Sequence, residues 1–279
     1  MSEPAGIRVR VDAPGATVIL DRPSACNALN RSMVGELLNV LDDLQQEKRI
    51  RAITLTGAGS YFSAGTDLRE MARTMEQRDQ NGLLQLPVMQ GFYEEVKAMQ
   101  QLLEMILRLP KPVLAAVNGP ALGFGAALVL ACDYVLAGPD AEIGWPETRW
   151  GLAPGLSAPL LTRRVSMARA TSLLCFGKSV DSATAVRWGL FDEVVANELL
   201  WALGQHKAQE LSGLGPHSVS LTKRLMCETI DEQRFSQLAV GAANTAASRT
   251  TLEAIELVTA FASGESRVKS PNPPSLKGI

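Results

Sequence analysis

Three short stretches of this chain hold residue types suited to chemistry at a polarised carbonyl. Ala64-Gly65-Thr66 makes a glycine turn after an apolar run. Gly123-Phe124-Gly125 follows a second apolar run and opens a stretch of helical composition. Glycine lets backbone approach closely, and the N–H groups of a helix start carry partial positive charge. Fixed N–H donors in a water-poor site can each stabilise an oxyanion by ~3–4 kcal/mol. Glu147 lies between Trp145 and Trp150. Desolvation there would raise its pKa and make it a better base. Each feature also has a plain structural reading. The glycines equally serve tight turns and close packing, the tryptophans equally serve the core, and Glu147 could pair with Arg149.

Other chemistries find little support. The sequence has 27 basic and 29 acidic side chains, a formal charge of −2, which points to neither nucleic acid nor an anionic membrane as partner. Its two histidines, His206 and His217, read as surface or helix-end residues and leave few candidates for a His-based zinc site or a histidine base. The four cysteines form no CxxC pair and read as reduced thiols. Leu128 stands where GxGxxG needs its last glycine, so a dinucleotide site is a poor fit. No metal site is expected. The first residues lack an apolar secretory segment and no run is long enough to span a membrane, so a cytoplasmic protein is expected.

The elements around these stretches alternate. Residues 9–11 and 16–20 read as strands, and Asn30 is placed to cap a helix with Met33, Leu37, Leu41 and Leu44 on one face. Residues 50–56 and 113–117 are β-rich apolar runs, and 133–137 and 142–145 read as further strands. Residues 69–86 are polar and irregular and read as a mobile segment or lid. A long helix is expected over 91–109, with Glu94 and Glu95 solvated. From Ser157 onward helices dominate, the last expected over 232–262. The chain divides into a core over 1–195, a helical region over 196–262 and a loose tail over 263–279.

Five motifs occur in order. They are Asp21-Arg22-Pro23 with Asn27-Ala28-Leu29; Phe62 through Leu68; Lys111-Pro112 through Gly125; Pro146-Glu147 with Gly151-Leu152-Ala153-Pro154; and Gly189 through Val195. Together they resemble the enoyl-CoA hydratase/isomerase (crotonase) superfamily over about residues 7–262. The resemblance implies an α/β fold, a crotonase (ClpP-like) spiral of β-β-α turns with a helical C-terminal trimerisation region. It implies a homotrimer or dimer of trimers, an acyl-CoA thioester as substrate, and no cofactor, coenzyme A entering as part of the substrate. The oxyanion donors it implies are the N–H groups of Thr66 and Phe124. Phenylalanine departs from the usual glycine there but keeps its N–H. Contacts to coenzyme A and substrate are implied at Cys26, Ala28, Ala64, Gly65, Thr66, Asp67, Leu68, Arg69 and Gly123. Asp67 also reads as a loop stabiliser, and Arg22, Arg69 or Lys223 as phosphate contacts.

The acid count bears on the reaction. Family hydratases use two glutamates, one on the helix after the glycine element and one after the later proline. Ala127 occupies the first position here and Glu147 the second. Hydration benefits from two proton-transfer groups, whereas moving a double bond needs one carboxylate. An isomerase with Glu147 as catalytic proton shuttle is therefore favoured. A hydratase and a non-catalytic acyl-CoA-binding protein are the alternatives.

Overall fold

The run VLAAV at 113–117 is apolar on both of its sides, which fits a strand covered by helices above and below. The computed structural model, which describes residues 6–78, 83–229 and 233–265, has this arrangement. Its strands are β1 (Ile7–Asp12), β2 (Gly15–Leu20), β3 (Ala52–Gly57), β4 (Val113–Val117), β5 (Ala121–Leu122), β6 (Tyr134–Ala137), β7 (Glu142–Gly144), β8 (Ser179–Asp181) and β9 (Glu193–Val194). A six-stranded sheet has the order β1-β2-β3-β4-β6-β9. Only its β1–β2 pair is antiparallel. A smaller sheet has the order β5-β7-β8.

Helix α1 (Arg31–Gln46) starts where expected, with the Asn30 side chain accepting from the Met33 N–H at 2.9 Å. Its stripe of Met33, Leu37, Leu41 and Leu44 packs with Val18, Ile53 and Val113 in the main core. The other face of the large sheet is covered by the helix Leu200–Ser212, through Leu200, Ala208 and Leu211.

Three expectations change. Residues 68–75 are not irregular but form α2 (Leu68–Met75), whose Met71, Ala72 and Met75 are buried against Trp150, Ile255 and Val258. The segment's residues 79–82 lie outside the described residues. Helix α3 (Leu86–Arg108) begins five residues before position 91, with Pro87 in its first turn, where a missing N–H costs nothing. The expected helix over 232–262 is two helices, Gln233–Ser248 and Leu252–Ala262. Thr251 caps the second by accepting from the Ala254 N–H at 3.2 Å, which breaks the chain direction at Arg249. The loose tail falls mostly on residues 266–279, outside the described residues. No described helix is long and apolar enough to cross a membrane.

Candidate active site

Two glycine-containing segments meet because buried side chains clip the loops between them. Asn27 is fully buried and donates to the Ala58 and Tyr61 carbonyls at 2.8 and 2.7 Å, while accepting from the Arg22 N–H at 2.9 Å. Ser63 donates to the Asn27 carbonyl at 2.8 Å and accepts from the Gly65 N–H at 3.1 Å. The loop then bridges onto the second sheet, where the Leu122 N–H donates to the Ser63 carbonyl at 2.8 Å. Helix α4 (Phe124–Ala131) follows, and every one of its residues is buried.

Gly65 has a φ of 91°, and a Cβ there would lie 2.7 Å from the Leu122 carbonyl oxygen and 3.2 Å from the Phe124 nitrogen. Only glycine fits that crossing without strain. The crossing brings the Thr66 and Phe124 backbones to one cavity, which both residues line. Neither of their N–H groups donates to an acceptor among the described residues. Two unpaired donors at one cavity are the arrangement an oxyanion needs.

The same sheet delivers the carboxylate. Strands β5 and β7 pair Leu122 with Gly144, and the Gly123 N–H donates to the Gly144 carbonyl at 2.8 Å. The chain leaving β7 therefore passes Gly123 three residues later as Glu147. A Cβ on Gly123, whose φ is 54°, would sit 3.1 Å from Glu147 Oε1. Glu147 as a whole is half-buried, but its Oε2 is closed to solvent and has no hydrogen-bond partner. Burial pushes the Glu147 carboxyl up to about 7, against a smaller opposing contribution from its own backbone N–H. Such a group can both accept and return a proton near neutral pH. Trp145 and Trp150 are buried in core clusters, and neither is among the residues lining the cavity.

The far wall comes from distant parts of the chain. Met99 of α3 and Thr245 of the helix Gln233–Ser248 line it, and Arg249 just beyond that helix completes it. Arg249 is 1% exposed and donates to Glu95 Oε1 at 2.7 Å and to the Met99 sulfur at 3.5 Å. Its guanidinium carbon lies 5.8 Å from the centre of the Phe92 ring. Glu95 is thus not solvated as expected. Its side chain is 8% exposed and its second oxygen accepts from Arg31 at 2.8 Å. Burial would raise the Glu95 carboxyl, but Arg249 and then Arg31 outweigh it and the net direction is downward. On the outer side, Glu70 accepts from the Arg31 backbone N–H at 3.0 Å.

Comparison with known proteins decides the family. A family model described as enoyl-CoA hydratase/isomerase matches residues 15–266. This chain belongs to the enoyl-CoA hydratase/isomerase family. A short-chain-enoyl-CoA hydratase of Clostridium acetobutylicum is 34% identical over 235 residues, 81% of this chain and 84% of that one. An enoyl-CoA isomerase/hydratase of Mycosarcoma maydis is 33% identical over 216 residues, 74% of each chain. The crystal structure of an enoyl-CoA hydratase/isomerase from Mycobacterium paratuberculosis matches with a TM-score of 0.81 at 25% identity, over 93% of this chain and 99% of that one. The crotonase fold follows, and the family acts on acyl-CoA thioesters. Relatives' names lean towards hydratase.

Within this family member, most residues expected to meet coenzyme A do come together. The Ala64 N–H donates to the Cys26 carbonyl at 2.9 Å and the Leu29 N–H to the Gly65 carbonyl at 2.7 Å, so 26–29 and 64–68 run side by side. Ala28 lies in the first of these segments and Leu68 begins α2. Asp67 is different in kind. Its carboxylate caps α2, accepting from the Arg69 and Glu70 N–H groups at 3.0 and 3.1 Å, and pairs with Arg22 at 3.0 Å. Arg22 is held there, donating also to the Ala28 carbonyl at 2.9 Å. Lys223 is engaged as well, by Asp133 at 2.6 Å and the Ile106 carbonyl at 2.9 Å. Of the three expected phosphate contacts, Arg69 alone has an exposed side chain with no described partner. A larger cavity of about 720 Å³ lies beside Lys223 and Cys227, away from Glu147 and both unpaired donors. Size does not mark the site here; chemistry does.

Proposed function

We propose that this family member shifts the carbon–carbon double bond of an enoyl-CoA, with Glu147 as its one proton carrier. The observation behind this is the cavity's acid count. Glu147 is the one carboxylate among the residues lining it, and the helical position where a second glutamate is expected holds buried Ala127. In the proposed cycle the Glu147 carboxylate takes a proton from C2 of a 3-enoyl thioester. The C–H electron pair spreads over C2 to C4 and the thioester oxygen as a dienolate. The Thr66 and Phe124 N–H groups hold that oxygen, and the Glu147 carboxyl returns its proton at C4. The double bond then lies between C2 and C3.

The shift is redox-neutral, so no electron carrier is asked for, and coenzyme A takes part only as the substrate's thioester. A homotrimer or dimer of trimers belongs to the same reading.

Hydration is the second reading. The relatives' names favour it, and the cavity beside Glu147, of about 30 Å³, has room for about one water. A paired assay separates the two, with trans-3-enoyl-CoA and trans-2-enoyl-CoA as substrates. Isomerisation of the first is expected, with kcat/KM rising with pH and levelling above about 7, because the carboxylate form begins the cycle. Glu147→Gln should lower it by ~10²–10⁴-fold. Efficient hydration of the 2-enoyl substrate by the wild type would make the single-acid argument wrong.

A further inference from the structure

Arg249 is more than an internal clamp requires. A guanidinium carries five N–H donors and no acceptor. Among the described residues Arg249 has one strong acceptor, Glu95 Oε1 at 2.7 Å, and one weak one, the Met99 sulfur at 3.5 Å. The Phe92 ring gives it a third, non-hydrogen-bonding contact at 5.8 Å. Its side chain is 2% exposed, so water does not reach the remaining donors freely. Each of its two Nη nitrogens has one of these acceptors, so what is left over is spare donor capacity and not an orphaned atom. So much spare capacity on a buried cation calls for an explanation.

The position of those donors supplies one. Arg249 lines the same cavity as Thr66, Phe124 and Glu147. Apart from Thr66 and Glu147, the polar side chains of the lining are Ser157 and Thr245. The Thr245 hydroxyl donates to the Ala153 carbonyl at 3.2 Å, and neither hydroxyl accepts from Arg249 in a hydrogen bond among the described residues. Charge points the same way. Glu95 is shared between two cations, Arg31 at 2.8 Å and Arg249 at 2.7 Å, and Arg31 is 43% exposed and solvated while Arg249 is not. A hydrocarbon chain end placed there would seal the spare donors. An oxygen would complete them, and a carboxylate could take two in parallel.

Resting on the acyl-CoA site proposed above, we propose that Arg249 selects acyl chains that carry an oxygen acceptor, carboxylate or ketone, beyond the reacting carbons. The substrate class is then an oxygen-functionalised acyl-CoA rather than a plain fatty acyl-CoA.

The test uses equilibrium binding of saturated thioesters, which do not react. Glutaryl-CoA, 5-oxohexanoyl-CoA and 5-methylhexanoyl-CoA have closely similar shapes and differ at the chain end: carboxylate, ketone, isopropyl. Calorimetric titration of the wild type should give at least ~10-fold tighter binding for one or both oxygen-bearing esters than for the isopropyl ester. Which one gains identifies the acceptor, a gain in the carboxylate alone marking charge recognition. Arg249→Met should erase or invert the preference, and Arg249→Lys should keep part of a carboxylate preference. Because Arg249→Met leaves Glu95 with one cation, the double variant Glu95→Gln/Arg249→Met removes both charges and should show the same lost preference. Equal or tighter binding of the isopropyl ester to the wild type would overturn the inference while leaving the acyl-CoA site intact. So would a preference that survives in both the single and the double variant. Failure of all three esters to bind the wild type would sink the site reading itself, and this inference with it.

Discussion

The two walls of the cavity are built on opposite plans. The wall at Gly65 and Gly123 uses backbone atoms, small residues and no charge, and its parts are held by hydrogen bonds between loops. The wall at Arg249 uses long charged side chains from α3 and the C-terminal helices, held by one buried ion-pair cluster. A backbone wall is fixed by chain path, so the identity of Thr66 or Phe124 matters less than the glycines that let the chain cross. A side-chain wall is fixed by identity, and substituting one residue rebuilds it. That division suits the proposed roles: the family's shared chemistry on the backbone wall, and this chain's own selectivity on the other.

The comparison can be broken at either wall. The largest effect on stability is expected from Arg249→Met. It leaves the Glu95 carboxylate in a poorly hydrated site with Arg31 as its one cation, and should cost up to ~3–5 kcal/mol in urea unfolding. Adding Glu95→Gln should recover part of that loss, because an ion pair removed whole is tolerated better than one cut in half. Failure to recover would mean the wall is held by packing and not by charge. Gly65→Ala attacks the other wall. Its Cβ would lie 2.7 Å from the Leu122 carbonyl at a φ of 91°, pushing Thr66 and Phe124 apart. Turnover should fall by ~10²–10³-fold, the usual effect of losing one oxyanion donor. Unchanged turnover in a folded Gly65→Ala protein would remove the backbone donors from the mechanism.

The smallest effect sharpens the position of Glu147 between the walls. Its carboxyl titrates near 4.5 in the unfolded chain and at about 7 in the folded one. Between those values the folded state keeps a proton that the unfolded state has released, so stability falls as pH rises. The contribution is absent below about 4.5 and complete above about 7, amounting to roughly 3 kcal/mol. Urea midpoints across this range should decline for the wild type and decline less for Glu147→Gln.

What the sequence revealed follows the same division. The Asn30 cap, the α1 stripe and the apolar β4 run were legible, because each is written in local spacing, whereas the meeting of Thr66, Phe124 and Glu147 was expected only through the family resemblance. Helix α2 was hidden under Arg69, Glu70, Arg73 and Thr74, which mask its narrow apolar face. Asp67 with Glu70 three residues later was a helix-start signal that would have found it. The single helix expected over 232–262 overlooked Thr251 as a cap, and with it the turn that sends Arg249 inward. Glu95 and Arg249 are separated by 154 positions. No local pattern distinguishes a helical glutamate that meets a distant arginine from one that meets water.

The helix Gln233–Ser248 also ties down the strip of chain just beyond Glu147. Ser248 accepts from the Ala153 N–H at 3.0 Å and Thr245 donates to the Ala153 carbonyl at 3.2 Å. A ribosome makes the donors and the carboxylate first, and the residues that close over them about a hundred positions later. For that interval the nascent chain lacks the far side of its own cleft, which can close only after Thr245 to Arg249 have been made and have left the ribosome.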